Sequence, residues 1–118
     1  MSIDAAAFKK GMRHLAASVT LITTRYGDLR GGLTATAVCS VSAEPPQILV
    51  CVNKTASAHD HIGEAGFFCV NILCPEHRKL AERFAGMDGT EGDERFRDMG
   101  EWTTLTTGAP VLPRLVNI

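Results

Sequence analysis

Short apolar stretches alternate with glycine- and proline-marked breaks along the chain, and the period of each stretch predicts its element. Between Asp4 and Ala16, the residues Ala5, Phe8, Met12, Leu15 and Ala16 share one face, with Lys9, Lys10 and Arg13 away from it. That spacing predicts a helix started by Ser2 or Asp4. Gly11 weakens it by up to ~1 kcal/mol, so packing is expected to hold it. Ser18–Thr24 alternates Val19, Leu21 and Thr23 against Thr20, Ile22 and Thr24, a β-branched pattern that predicts a strand. Tyr26-Gly27-Asp28 turns the chain into a hairpin with a longer loop, and the next strand begins near Gly31-Gly32. Leu33–Val41 continues extended until Glu44-Pro45-Pro46, because neither proline offers an amide to a ladder. Gln47–Val52 is a continuous apolar run and predicts a central strand.

The second half reads more helically. Asn53–Ser57 is a polar loop, and Ser57-Ala58-His59-Asp60 matches a helix start signal, so a short helix is expected to about Glu64, stopped by Gly66. Phe67–Leu73 reads as a strand. Pro75–Ala85 reads as a helix with Leu80, Ala81 and Phe84 on its buried face, an exposed Arg78–Glu82 pair, and Gly86 as terminator. Met87–Gly100 is rich in glycine and charge, a mobile loop with Phe96 as its one anchor. Trp102 begins a short extended piece, and Gly108–Leu112 is the last expected strand. Many short strands with glycine turns and few helices imply a mainly β fold with peripheral helices, in the form of a small barrel.

Composition narrows the function. The 118 residues are one domain's length, 1–118, with 45% hydrophobic and 21% charged residues. A net charge of −1 without a basic block argues against nucleic acid or anionic lipid as a partner. No apolar run approaches the ~18 residues of a membrane span, and the first ten residues lack a secretory core, which leaves the cytoplasm as the expected location. Cys39, Cys51, Cys69 and Cys74 form no C-x-x-C pair and are read as sharing no C-x-x-H spacing with a histidine, so zinc is not expected. Three of them lie in apolar strand patterns and read as buried, reduced thiols, with Cys39 and Cys74 the more exposed. His14, His59, His61 and His77 read as surface residues. His59 and His61 point to different sides of a helix. No glycine-rich dinucleotide fingerprint follows any strand.

Two stretches carry candidate chemistry. At Lys54–Asp60 a strand leads through a polar loop into a helix, where free amides hold partial positive charge. Thr55 and Ser57 add hydroxyls and Lys54 a full charge. The spacing fits either one phosphate group or a plain capped surface helix. At Thr34–Val38, small side chains would let a flat ring lie close to backbone amides, or would equally suit packing under a helix.

Taken together, Phe8–Thr24, Gly32–Val41 (GLTATAVCSV), Pro45–Ser57 (PPQILVCVNKTAS), Phe68–Leu73, Leu80–Gly86 (LAERFAG), Glu94–Phe96 and Trp102–Leu112 resemble the flavin reductase-like family. The nearest likeness is to reductase components of two-component aromatic monooxygenases of the 4-hydroxyphenylacetate type. The resemblance implies an FMN-binding split β-barrel. It implies that Thr34, Ala35, Thr36, Ala37 and Val38 line the isoalloxazine ring, although many relatives have Asn-Ser where this chain has Thr36-Ala37. It implies that Asn53, Lys54, Thr55, Ala56 and Ser57 hold the ribityl chain and phosphate, and that Arg83 and Phe84 contact the flavin from the following helix. The implied reaction is hydride transfer from NADH or NADPH to FMN or FAD, with no acid–base residue required. Reduced flavin would pass to a monooxygenase component, and the assembly would be a homodimer. The family pattern continues beyond Ile118 with further strands, so the chain reads as C-terminally truncated and is expected to be poorly soluble or marginally stable alone. A flavin-binding protein without turnover and an inactive fragment are the alternatives to a reductase.

Overall fold

A computed structural model describes residues 2–118. Its centre is β1 (Thr20–Tyr26), which is flanked on both sides and buried on both faces. Leu21 faces one apolar cluster, with Leu80, Phe84, Phe96 and Leu112. Its neighbour Ile22 faces another, with Ala35 and Val70. Alternation along one strand thus feeds two cores. The strand's threonines are buried without polar cost. Thr20 Oγ1 donates to the Ala35 carbonyl at 2.7 Å, Thr23 Oγ1 to Pro110 at 2.6 Å and Thr24 Oγ1 to Phe67 at 2.8 Å.

The antiparallel partner β2 (Leu29–Ala35) follows at once, with Tyr26 opposite Leu29. The loop is therefore only Gly27-Asp28, tighter than the sequence suggested, and the positive φ of Gly27 (+60°) permits it. On the other side of β1 lies β5 (Cys69–Ile72), two residues shorter at its start than expected. Beyond β5 comes β8 (Val116–Asn117), a strand not foreseen, giving a sheet of order β2-β1-β5-β8.

The run Leu33–Val41 is not one strand. It breaks at Thr36-Ala37, and β3 (Val38–Ala43) leaves the main sheet to pair with β4 (Pro46–Val50), with an irregularity between Ser40 and Ser42. The expected central strand is thus half of a separate hairpin. The prolines turn the chain straight back, so the apolar run finds only one partner, and Leu49 stays 49% exposed. A third small hairpin joins β6 (Thr103–Thr104) to β7 (Pro110–Val111). The fold is mainly β.

Three helices lie outside these strands among the described residues. α1 (Ala5–Met12) is capped by Asp4, whose Oδ1 accepts the Ala7 amide at 2.8 Å. It ends four residues before Ala16, and none of its residues is buried; Phe8 is 54% exposed. Its cap and its own hydrogen bonds hold it, rather than packing. α2 (Ala58–Ala65) ends at Gly66 with φ +77°, as the sequence predicts. Ser57 makes no side-chain cap there, and Asp60 Oδ1 instead meets its neighbour His59 Nδ1 at 3.0 Å. The expected helix 75–85 divides into a 3-10 turn, Pro75–His77, and α3 (Arg78–Phe84). Leu80 and Phe84 are buried, and Arg78 Nε donates to Glu82 at 2.9 Å.

The stretch 87–100 has more anchors than Phe96. It contains a 3-10 turn at Gly92–Phe96. Arg30 donates to both carboxylate oxygens of Asp93, at 2.7 and 2.9 Å, and its guanidinium lies 4.8 Å from the Phe96 ring centre. Phe96, Phe84 and Trp102 pack edge-on or tilted, with ring centres 4.8–5.7 Å apart. Of the four cysteines only Cys69 is buried. Cys39 on the β3–β4 hairpin and Cys74 on a turn stand exposed, the two expected to be the more exposed, and Cys51 beside the hairpin is exposed as well, contrary to the expectation of a buried thiol there. No helix is long and apolar enough to cross a membrane among the described residues.

Candidate functional site

A cleft of about 410 Å³ opens where β2, the loop before α2, the end of α3 and the 87–100 strap meet. That volume lies within the usual range of small-molecule sites, about 300–1,000 Å³. Its apolar wall is made by Leu33, Phe84 and Ala85. Phe84 reaches the wall because residue 32 is glycine. A Cβ there would stand 2.7 and 2.9 Å from two Phe84 ring carbons. Thr34 ties the wall together: its Oγ1 donates to the Ala81 carbonyl of α3 at 2.6 Å.

The polar wall is the loop 53–57. Asn53 Oδ1 accepts both the amide and the hydroxyl of Thr55, at 3.0 and 2.9 Å, and the Ala56 amide donates to the Asn53 carbonyl at 2.9 Å. This closure fixes the loop where α2 begins. The first-turn amides of α2 have no partner within the helix, although that of His59 donates to the Ala56 carbonyl ahead of it at 3.0 Å. The Ser57 hydroxyl, free of capping duty, is exposed beside them.

The strap contributes Glu91 and Arg95. Arg95 donates to three carbonyls, those of Thr90 (3.0 Å), Gly32 (3.1 Å) and Phe84 (3.4 Å), and forms no salt bridge to a carboxylate among the described residues. Nearby, Asp88 accepts the hydroxyl and the amide of Thr90, and Arg83 donates to it at 2.8 Å. These donors, the Thr90 hydroxyl first, lower the Asp88 carboxyl to about 2. Asp93 is likewise held below the usual carboxylate range, by its hydrogen bond from Arg30 above all. Both aspartates pin the strap as anions.

Of the residues singled out in the sequence, Thr34, Asn53, Thr55, Ala56, Ser57 and Phe84 meet in this cleft. The others stand elsewhere. Ala35 is buried in the sheet, its carbonyl taken by Thr20. Thr36 and Val38 line a separate groove with Ala16, Ser18 and Ile118. Ala37 is exposed, and its carbonyl accepts the Cys51 amide at 3.0 Å. Lys54 is exposed and outside the cleft lining. Arg83 spends its guanidinium on Asp88 and on the Arg97 carbonyl at 2.7 Å. The cleft also contains Leu33, Ala85, Glu91 and Arg95, which the sequence reading did not choose. For Arg95 a signal existed: it lies in the Glu94–Phe96 match, but no local pattern says that it reaches back to Gly32.

An apolar wall for a flat ring, hydroxyls and helix-start amides for an anion, and an un-neutralised guanidinium between them suit a planar heterocycle with a phosphate tail. Among the described residues, Glu91 and Arg95 are the charged side chains that line the cleft.

The chain is similar to known flavin reductases. "FMN reductase (NADH) RutF 1" of Methylorubrum extorquens strain PA1 is 46% identical over 112 residues, 95% of this chain and 54% of that protein. The chain therefore spans about half the length of the curated relatives it matches. The NADH:FAD oxidoreductase SgcE6 of Streptomyces globisporus C-1027, solved with NAD and FAD fragments, superposes with a TM-score of 0.84 at 28% identity, covering 98% of this chain and 67% of that one. BorF, the flavin reductase component of a bacterial two-component tryptophan halogenase, gives 0.83 at 31% identity, over 95% and 69%. Residues 12–116 match the flavin reductase like domain, and the chain belongs to that family.

Proposed function

We propose that this chain is an NAD(P)H-dependent flavin reductase that binds FMN, or FAD, in the cleft between β2, α2 and α3. The carrying observation is the meeting in one cleft of an apolar wall (Leu33, Phe84) with an un-neutralised cation (Arg95) and the start of α2. The bound flavin would supply the hydride-accepting chemistry, with NADH as donor, as the name of the Methylorubrum relative suggests. The chain's own residues then position and shield. Phe84 and Leu33 support the ring and exclude water. Ser57 and the first-turn amides of α2 receive the phosphate, and Asn53 holds their loop in shape. Arg95 adds attraction for the anionic tail, while Glu91 opposes it from the rim. Lys54, Thr36, Ala37 and Val38 lie outside this cleft's lining and would contact flavin only where it extends beyond the cleft.

Reduced flavin would go to a monooxygenase component, in a two-component arrangement like that of BorF, whose partner component is a tryptophan halogenase. We further propose a homodimer, because Phe8, Met12 and Leu15 near α1 and Val41 and Leu49 on the β3–β4 hairpin remain exposed. In that assembly the sheets would complete a split barrel. A cytoplasmic location suits three exposed, unpaired thiols. The test is NADH and NADPH oxidation by the purified chain with and without added FMN or FAD. Saturable, flavin-dependent oxidation is expected. Flavin binding without oxidation would reduce the proposal to a cofactor-binding role, and neither would overturn it.

A further inference from the structure

We propose that Cys74, Glu76 and His77 form a surface site for a borderline-soft divalent cation, with Zn²⁺ the best match. The site is separate from the flavin cleft and does not depend on that reading. It overturns the expectation that the histidines and cysteines share no ligand pattern: Cys74-Pro75-Glu76-His77 is a C-x-x-H spacing. The spacing matters because of the turn it sits on. Residues Pro75–His77 form a 3-10 turn, and in a 3-10 turn side chains three apart eclipse one another. Pro75, with its fixed φ, sets that turn at its first position.

The result is reciprocal. The Cys74 amide donates to His77 Nδ1 at 3.1 Å, and the Cys74 sulfur faces the His77 amide. A sulfur, a carboxylate oxygen and an imidazole nitrogen then lie within 4.8 Å of one another. Capping accounts for Cys74 and His77 but not for Glu76, which forms no ion pair among the described residues. Around tetrahedral zinc the donor atoms would stand roughly 3.5 Å apart, so the group must close by about 1 Å. Cys74 and Glu76 are exposed and can make that change by rotamer. The donor set of one thiolate, one imidazole and one carboxylate favours Zn²⁺ over Mg²⁺ or Ca²⁺. Binding releases the Cys74 thiol proton to solvent, and the metal takes the Nδ1 lone pair in place of the Cys74 amide. Three ligands leave a fourth position open. Glu76 and His77 also border a second cleft of about 560 Å³, with Asp98 and Glu101 on its wall, so water or a small ligand has room to fill that position.

The test uses Co²⁺ as a spectroscopic stand-in and Zn²⁺ in competition. The full chain is expected to bind one Co²⁺ with a thiolate-to-metal charge-transfer band that Zn²⁺ abolishes. Cys74→Ser should remove the band, and His77→Asn, which keeps an acceptor for the Cys74 amide, should weaken binding at least tenfold. In the unaltered chain, Zn²⁺ should protect Cys74 from alkylation, read by peptide mapping, while Cys39 and Cys51 react as before. No charge-transfer band, a band that survives Cys74→Ser, affinity unchanged in His77→Asn, or equal alkylation of Cys74 with and without Zn²⁺ would each overturn the site.

Discussion

Replacing Gly32 with alanine tests how the apolar wall is built. The new Cβ would lie 2.7 and 2.9 Å from Phe84 ring carbons and 3.2 Å from the Ile22 carbonyl oxygen. The ring cannot simply retreat. Phe84 is 1% exposed and wedged against Phe96 and Trp102, with ring centres 4.9 and 5.7 Å away. Overpacking of this kind costs about 1–3 kcal/mol. Unfolding entropy scales as about 2.1 cal/mol/K per residue, so for 118 residues each kcal/mol is worth about 4 °C in Tm. Gly32→Ala should therefore lower the melting temperature by about 4–12 °C. The displaced ring also moves into the cleft, so FMN affinity, read by flavin fluorescence quenching, should fall at least tenfold. Phe84→Leu removes the clashing ring edge, and in that background the alanine should cost at least ~1 kcal/mol less than in the native chain. An equal cost in both backgrounds would show that Phe84 is not what excludes a side chain at position 32.

Three further outcomes follow from the same contacts. Arg95→Met should weaken FMN binding more than riboflavin binding, and equal losses for the two ligands would remove Arg95 from the phosphate's surroundings. Thr34→Val cuts the 2.6 Å bond to Ala81 and should cost about 1–2 kcal/mol in urea denaturation, with no effect if β2 and α3 are held by packing alone. Asp93 has its folded pKa below the ordinary 3.8, so its pair with Arg30 stabilises the protein above that ordinary value and is lost as pH falls through the lower, folded one. Asp93→Asn should cost about 1.5–3 kcal/mol near neutrality and flatten the acid limb of the stability curve, and an unchanged acid limb would refute the assignment.

What the sequence showed clearly was local. The strand around Leu21 and Ile22, the glycine stops at Gly66 and Gly86, the Arg78–Glu82 pair and the buried face of α3 all depend on residues within a few positions of one another. The errors are non-local. Gln47–Val52 read as a central strand because a continuous apolar run signals burial, but burial depends on neighbours, and the Pro45-Pro46 turn supplied only β3. The α1 face has helical spacing but no partner among the described residues. Cleft residues Asn53, Thr55, Ala56 and Ser57 were visible as a loop feeding a helix, and Phe84 through the family resemblance. Arg95 was not, because its significance lies in bonds to carbonyls 63 and 11 positions away. Cys74 and His77 were missed for the opposite reason. Their C-x-x-H spacing stands in the sequence and was overlooked there, and side chains three apart meet on either kind of helical turn.

The strap 87–100 decides how adjustable the cleft is. Its two ion pairs are not equivalent. Arg30–Asp93 is partly buried, bidentate and stacked over Phe96, so it fixes the 3-10 turn that delivers Arg95. Arg83–Asp88 is about as exposed but rests on a single Nε contact, and Asp88 is held mainly by its own turn through Thr90. Salt screens both pairs, but the bidentate geometry of Arg30–Asp93 adds a second charge-assisted hydrogen bond that the Arg83–Asp88 contact lacks. Raising ionic strength should therefore loosen the strap at Asp88 while leaving Arg95 seated by Asp93, Phe96 and the Gly32 carbonyl. The cation facing the cleft is thus placed by neutral carbonyls and an aromatic cluster, which leaves its charge available to whatever the cleft binds.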